Sequence, residues 1–293
     1  MSPSRRAGSR PPFRLPRVAA LTPGRGGQPR LLIDAPSGAA EIYLHGAHLT
    51  SWIPRGGGEV LFTSRQAVFD GRTAIRGGVP LCLPWFASGP DGARRPSHGW
   101  ARIMEWEPRC VESRPDGAVR VLMALKHDGL SLLYEISVGE ELGLSLSISN
   151  RGPAPRSVEA ALHTYLRVGD VTAVRIVGLE GREYVDKVAG GAASVQAGPL
   201  GVRGPVDRIY ESGAPTMVFD PALGRRARVS PTGSEQTVIW NPWSSGAAAL
   251  ADMAEEEFPT MVCVETARLG RSAALLGPGE TMAMGARIAV ESL

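Results

Sequence analysis

The chain has 293 residues, 43% of them hydrophobic, with 36 glycines and 24 prolines. That length supports one large domain or two smaller ones, and glycine plus proline at about a fifth of the chain, against roughly 12% in average proteins, favours a turn-rich β fold over a helical bundle. The net charge of +3 comes from one end: residues 1–30 hold seven arginines and no acid, leaving 25 basic against 29 acidic side chains in residues 31–293, so the body lacks the basic stripe of a nucleic-acid binder.

Residues 1–30, rich in Arg, Pro, Gly and Ser, read as a disordered tail without the apolar stretch of a secretory signal. Residues 31–293 read as a single domain. It opens with "LLIDAPSGAAEIYLHGAHLTSWIP", short apolar runs separated by a Pro-Ser-Gly turn, as in a hairpin. "AVRVLMALKH", "LSLLYEISV" and "LGLSLSISN" follow, and "LSLSIS" alternates apolar and polar residues with the period of a half-buried strand. "TAVRIVGL", "TVIWNPW", "TMVCVETARL" and "TMAMGARIAV" continue the series, with turn signals at 115–117, 150–153 and 277–279. The one helix candidate is short and acidic, Ala251–Glu257. The pattern predicts an all-β fold, one large antiparallel β-sandwich. No run of 18 apolar residues is present to span a membrane as a helix. Cys82, Cys110 and Cys263 are odd in number and widely spaced within apolar runs. They read as free thiols of a reducing, cytoplasmic compartment.

Chemistry can come from few places. Of the five histidines, His45 and His48 lie three apart on an expected strand, which points them to opposite faces and argues against a metal pair. His127 sits in a turn and reads as solvated. His163, in "EAALHTYLRV", fits both a satisfied core histidine and a catalyst, whereas His98, in "SHGWAR", follows a long loop, where site residues gather. Glu265, in "MVCVETA", either faces water while Val262 and Val264 face inward, or is buried, in which case it must be paired or used and its pKa rises. Arg72, Arg76, Arg94, Arg95 and Arg102 cluster around glycines 77 and 78 and suit an anion. A chain with 30 arginines and two lysines makes any single arginine weak evidence. Neither a phosphate-cradling GxxxxGK[ST] loop nor a dinucleotide fingerprint is present.

Taken in order, "GAHLTSWIPRGGGEVLFTSRQAVFDGRTAIRGGVPLCLPWF", "HGWAR", "LHTYLRVGD", "GLEGREYVDK", "DRIY", "WNPW" and "MVCVETA" resemble the hexose-6-phosphate mutarotases, also called glucose-6-phosphate 1-epimerases, of the aldose 1-epimerase group. The resemblance covers roughly residues 31–290. It implies a galactose-mutarotase-like β-sandwich that interconverts the α and β anomers of an aldohexose 6-phosphate without metal or organic cofactor. It places the active-site residues on His98, His163 and Glu265, the sugar-contacting aspartate on Asp207, and phosphate-binding arginines on Arg76, Arg102 and, less firmly matched, Arg72. Glu265 would take the O1 proton and His163 protonate the ring oxygen, with His98 stabilising charge on oxygen. If "SHGWAR" is extended, His98 and Arg102 share one face of a strand edge. Thr266 stands where relatives commonly carry proline. The partner implied is a small sugar phosphate, with no nucleic acid and no membrane, acted on by a monomer. An epimerase acting on an unphosphorylated sugar and a non-catalytic sugar-phosphate binder remain the alternatives.

Overall fold

A computed structural model describes residues 14–293. Alternation along the strands is what builds it. Leu130–Val138 and Leu142–Asn150 bury every second residue, and their neighbours Val119–His127 and Thr281–Ser292 complete the middle of an eight-stranded antiparallel sheet. Its full order runs Arg175–Val177, Thr216–Asp220, Arg225–Thr232, Thr281–Ser292, Leu142–Asn150, Leu130–Val138, Val119–His127, Glu107–Ser113. A second eight-stranded sheet carries Met261–Arg268 near its centre. On one side lie Gln236–Asn241, Val206–Tyr210, Glu183–Asp186 and Ala192–Val195; on the other lie Ala160–Leu162 and Leu81–Cys82, with Tyr165–Arg167 paired to the same central strand. The two sheets share one apolar core, to which the first supplies Leu146, Val229 and Ile288 and the second Ile239, Val262 and Val264. Shared burial of this size is the main force holding a sandwich together.

A four-stranded meander, Ala19–Pro23, Pro29–Ala35, Gly38–Tyr43 and His48–Pro54, adds Leu31, Ile42 and Trp52 to the same core. The expected tail therefore ends earlier than residue 30. Positions 1–13 lie outside the described residues, but Ala19–Pro23 pairs antiparallel with Pro29–Ala35. Composition misleads here because Arg25 is used rather than solvated: its guanidinium donates to the carbonyls of Ser64 and Arg65 and lies 4.3 Å over the Phe69 ring.

The helix expected at Ala251–Glu257 is also displaced. The α-helix is Trp243–Ala248, started by Pro242, and the acidic segment forms a 3₁₀ turn, Glu255–Thr260, that contains Pro259. Glu257 is buried as an acceptor for Ser64 Oγ and the Arg65 and Ala254 amides, so its carboxylate anchors a loop instead of decorating a helix. Cys82 and Cys263 are buried free thiols and Cys110 is half-buried. No helix among the described residues is long and apolar enough to cross a membrane.

Candidate active site

The strand Met261–Arg268 is buried on both faces, and parity sorts its side chains. Val262 and Val264 enter the core between the sheets. The odd residues face the other way, where Cys263 packs with Phe62 and Tyr165, and Ala267 with Cys82 and Val238. Glu265 shares that face and is 1% exposed. The alternation expected from sequence is present, but the face opposite the core is covered, which removes the solvent-facing reading of this glutamate. Cross-strand register carries the face outward: Glu265 lies opposite Val238, Cys263 lies between Tyr165 and Trp240, and Trp240 lies opposite Asp207.

His163 occupies the break between the short strands Ala160–Leu162 and Tyr165–Arg167, held by its amide donating to the Pro80 carbonyl. Its ring stacks on Tyr165 at 4.7 Å and 10°, and Nδ1 lies 3.3 Å from Glu265 Oε1. Among the described residues, His163 Nδ1 and Glu265 Oε2 are both buried and lack a hydrogen-bond partner. Buried polar atoms are nearly always paired, so two orphans side by side make this a candidate functional locus. Burial pushes the Glu265 carboxyl well above its usual range, reinforced by Asp207 and opposed by Lys187 and Arg102. Burial pulls His163 well below its ordinary value, helped by His98, Arg102 and Arg76.

"SHGWAR" is a turn leading into the 3₁₀ segment Ala101–Ile103, not an extended edge. His98 adopts φ +62° and Gly99 φ +73°, and a Cβ on Gly99 would sit 2.0 Å from the Leu83 carbonyl oxygen. Only glycine fits so close an approach, and the approach is what bends the segment. The bend sets the His98 ring 5.8 Å from His163 and edge-on to Phe86 at 4.5 Å. The Ala87 amide donates to His98 Nδ1, which leaves the proton of the neutral ring on Nε2. Burial, with Arg102, Lys187 and Arg76 adding to it, lowers the His98 pKa to about 3, so at neutral pH this ring is an uncharged N–H donor.

Next to these rings lies a cavity of about 290 Å³ lined by Arg72, Arg76, Arg102, Tyr165 and Asp252. The Arg76 guanidinium donates to Asp252 at 3.1 Å and to the Tyr165 hydroxyl at 3.0 Å. Arg102 donates to the Ser97 carbonyl, and its Nε is buried without a partner. Arg72 sits at the exposed rim. Their loop is fastened from below by two histidines at the turn between Gly38–Tyr43 and His48–Pro54, His45 Nε2 on the Thr73 carbonyl and His48 Nε2 on the Gly77 carbonyl. Glycines 77 and 78 do permit close approach, but to the protein's own backbone: a Cβ on Gly78 would lie 2.1 Å from the Leu49 carbonyl oxygen. His127 is exposed, as expected, and packs edge-on to Trp100. Hollows of about 370 and 420 Å³ elsewhere lack such a convergent set of buried titratable groups.

All seven expected site residues thus fall in two adjoining regions joined by Tyr165, which touches both His163 and Arg76. Sequence reasoning missed three neighbours. Tyr165 lies two residues beyond His163. Asp252 lies in the acidic segment read as a helix. Lys187, whose Nζ is 3.3 Å from Asp207, is one of only two lysines in the chain. An i, i+2 relation and the rarity of lysine were signals for the first and last.

The fold has known counterparts. A family model described as aldose 1-epimerase matches residues 29–288. A protein of Escherichia coli (strain K12) named "Putative glucose-6-phosphate 1-epimerase" is 33% identical over 256 residues, 81% of this chain and 82% of that protein. One of the same name from Cenchrus ciliaris is 33% identical over 261 residues, 82% of this chain and 78% of its own. The crystal structure of a Salmonella typhimurium "putative mutarotase (YeaD)" superposes with a TM-score of 0.88 at 28% identity, covering 96% of each chain. A galactose mutarotase-like protein from Clostridium acetobutylicum shares the fold at 12% identity, with a TM-score of 0.73 over 94% of this chain and 98% of that one. With its antiparallel sandwich, its buried carboxyl–imidazole pair and a family match across nearly the whole domain, the chain belongs to the aldose 1-epimerase family.

Proposed function

We propose that the chain interconverts the α and β anomers of an aldohexose 6-phosphate. The observation that carries this reading is the lining of one cavity by Arg72, Arg76 and Arg102, joined through Tyr165 to the Glu265–His163 pair. Guanidinium groups recognise phosphate oxygens, and the sugar's reacting end then falls at the carboxyl and imidazole. The names of the relatives support the same substrate class.

O1 and O5 are both bonded to C1, so two groups as close as His163 and Glu265 can serve one oxygen each. Ring opening moves the O1 proton to the Glu265 carboxylate and a proton from His163 to O5. The C1–O5 bond breaks, C1 becomes an aldehyde, rotation about C1–C2 follows, and closure reverses both transfers. The opposed pKa shifts of the pair acquire a use here. Burial favours carboxylic acid plus neutral imidazole, which is the charge state of the open-chain intermediate. The reactive state is the carboxylate with imidazolium. Arg76 and Arg102 disfavour that imidazolium, and a phosphate seated on them offsets their charge. Phosphate binding therefore orients the sugar and also raises His163 toward protonation. His98 Nε2–H would donate to oxygen as charge develops on it. Asp207, held by Lys187, would accept from a sugar hydroxyl.

Polarimetry with freshly dissolved glucose 6-phosphate, glucose and galactose tests the reading. The phosphate should be preferred in kcat/KM by about 10²-fold or more, as expected for two charge-assisted contacts of ~1.5–3 kcal/mol each. The preference should appear in kcat as well as KM. Faster equilibration of the free sugars would overturn the assignment in favour of an epimerase for unphosphorylated sugars.

A further inference from the structure

We propose that His163, Cys263 and Glu265 together form a binding site for a thiophilic divalent cation such as Zn²⁺, one that would occupy the acid–base pair and block it. The three side chains are buried, and one ligand atom from each lies within 4.8 Å of the others. Tetrahedral zinc with N, O and S donors at 2.0–2.3 Å places those donors roughly 3.3–3.7 Å apart. His163 Nδ1 and Glu265 Oε1 already stand at 3.3 Å, so only a small movement of Cys263 is required.

Two further observations point to a ligand. His163 Nδ1 and Glu265 Oε2 are unpartnered, on side chains 9% and 1% exposed. Cys263 has no part in the proton transfers, yet its thiol shares the face of the strand that carries Glu265. Binding releases the thiol and carboxyl protons as two H⁺, and leaves thiolate, carboxylate and neutral imidazole around a dication. The assembly is uncharged, which is the state a buried site tolerates. Three protein ligands leave a fourth position for water or a sugar hydroxyl, and a donor set with one thiolate and one imidazole selects zinc or cadmium over magnesium.

The site itself rests on geometry, and only its inhibitory consequence rests on the proposed function. Co²⁺ added to the full chain reports the first without any turnover. A thiolate-to-cobalt charge-transfer band is expected in the parent and in Cys110→Ser, and its loss in Cys263→Ala, with Cys263→Val as a second replacement should the alanine variant unfold. In parallel, Zn²⁺ should inhibit anomerisation by the parent, reversibly on adding chelator. The Cys263 variants, each measured against its own uninhibited rate, should need at least 10-fold more Zn²⁺. A band that survives in both Cys263 variants, or no band in the parent at millimolar Co²⁺, would overturn the site. A band accompanied by no anomerisation of any sugar would support the site and count against the proposed reaction. Equal Zn²⁺ sensitivity of parent and Cys263 variants would overturn the inhibitory role.

Discussion

Glu265 has no ion-pair partner of fixed charge, and it is enclosed on the face of its strand that turns away from the main core. Burying a carboxyl unpaired is costly, and the proposed proton transfer gives that cost a use. Glu265→Gln keeps shape and burial while removing the base, so kcat/KM for the sugar phosphate should fall by about 10³-fold, with binding of the sugar phosphate nearly unchanged in calorimetry. Activity within tenfold of the parent would move the base elsewhere. Alternation set this residue on the face opposite Val262 and Val264 but left its exposure open, because it says which residues share a face and not what covers it. What covers it is Tyr165 and His163, brought over by the break between two three-residue strands. Strands so short leave almost no periodic trace. Asp252 was illegible for another reason: its partner, Arg76, is 176 positions away in the chain.

At the scale of elements, the loop bearing Arg72 and Arg76 is held by hydrogen bonds from within it and from beneath it. Asp70 accepts from the Arg72 and Thr73 amides, which hold its carboxyl at about 2. His45 and His48 donate to the loop's carbonyls from the turn between Gly38–Tyr43 and His48–Pro54. The sequence reading argued against a metal pair and could not say what those two histidines hold, since a hydrogen bond to a backbone carbonyl leaves no residue-type signature on the acceptor side. The clamp predicts that His45→Ala loosens the loop without touching the reacting end. KM for the sugar phosphate should rise about 5-fold, the worth of one hydrogen bond near 1 kcal/mol, while kcat stays within twofold. An unchanged KM, or a loss confined to kcat, would show that the loop holds its shape without this contact. Elements also account for the misread start of the domain and the misread "SHGWAR". Arg25, through its carbonyl and ring contacts, and Gly99, through one close approach, act in ways that run lengths and composition do not register.

At the scale of the whole molecule, the antiparallel sandwich was legible because its long strands alternate and its turns are marked by Gly, Pro and Asn. The same burial that makes alternation visible also neutralises histidines. His48 is fully buried, donates through Nε2, has no partner for Nδ1, and is lowered to about 3 by burial. In the unfolded chain it titrates near 6.5. Between those values the unfolded state binds a proton that the folded state refuses, so stability is complete above ~6.5 and is lost as pH falls toward 3, at about 1.4 kcal/mol per pH unit where the effect is steepest. His98 acts in the same direction but counts for less, because its ring is only partly buried. His163 and Glu265 shift in opposite directions and act against each other: the raised carboxyl favours the folded state at low pH, and the depressed imidazole disfavours it. Thermal unfolding should therefore fall by about 4 °C between pH 6.5 and pH 5, taking ~2 °C per kcal/mol for a chain of this size. His48→Gln, which cannot titrate, should melt lower than the parent at pH 7.5 and lose less on acidification. A parent melting temperature flat across that interval, or an equal slope in the variant, would mean that water or a local opening reaches His48 and that the hairpin beneath the arginine loop is less closed than its packing indicates.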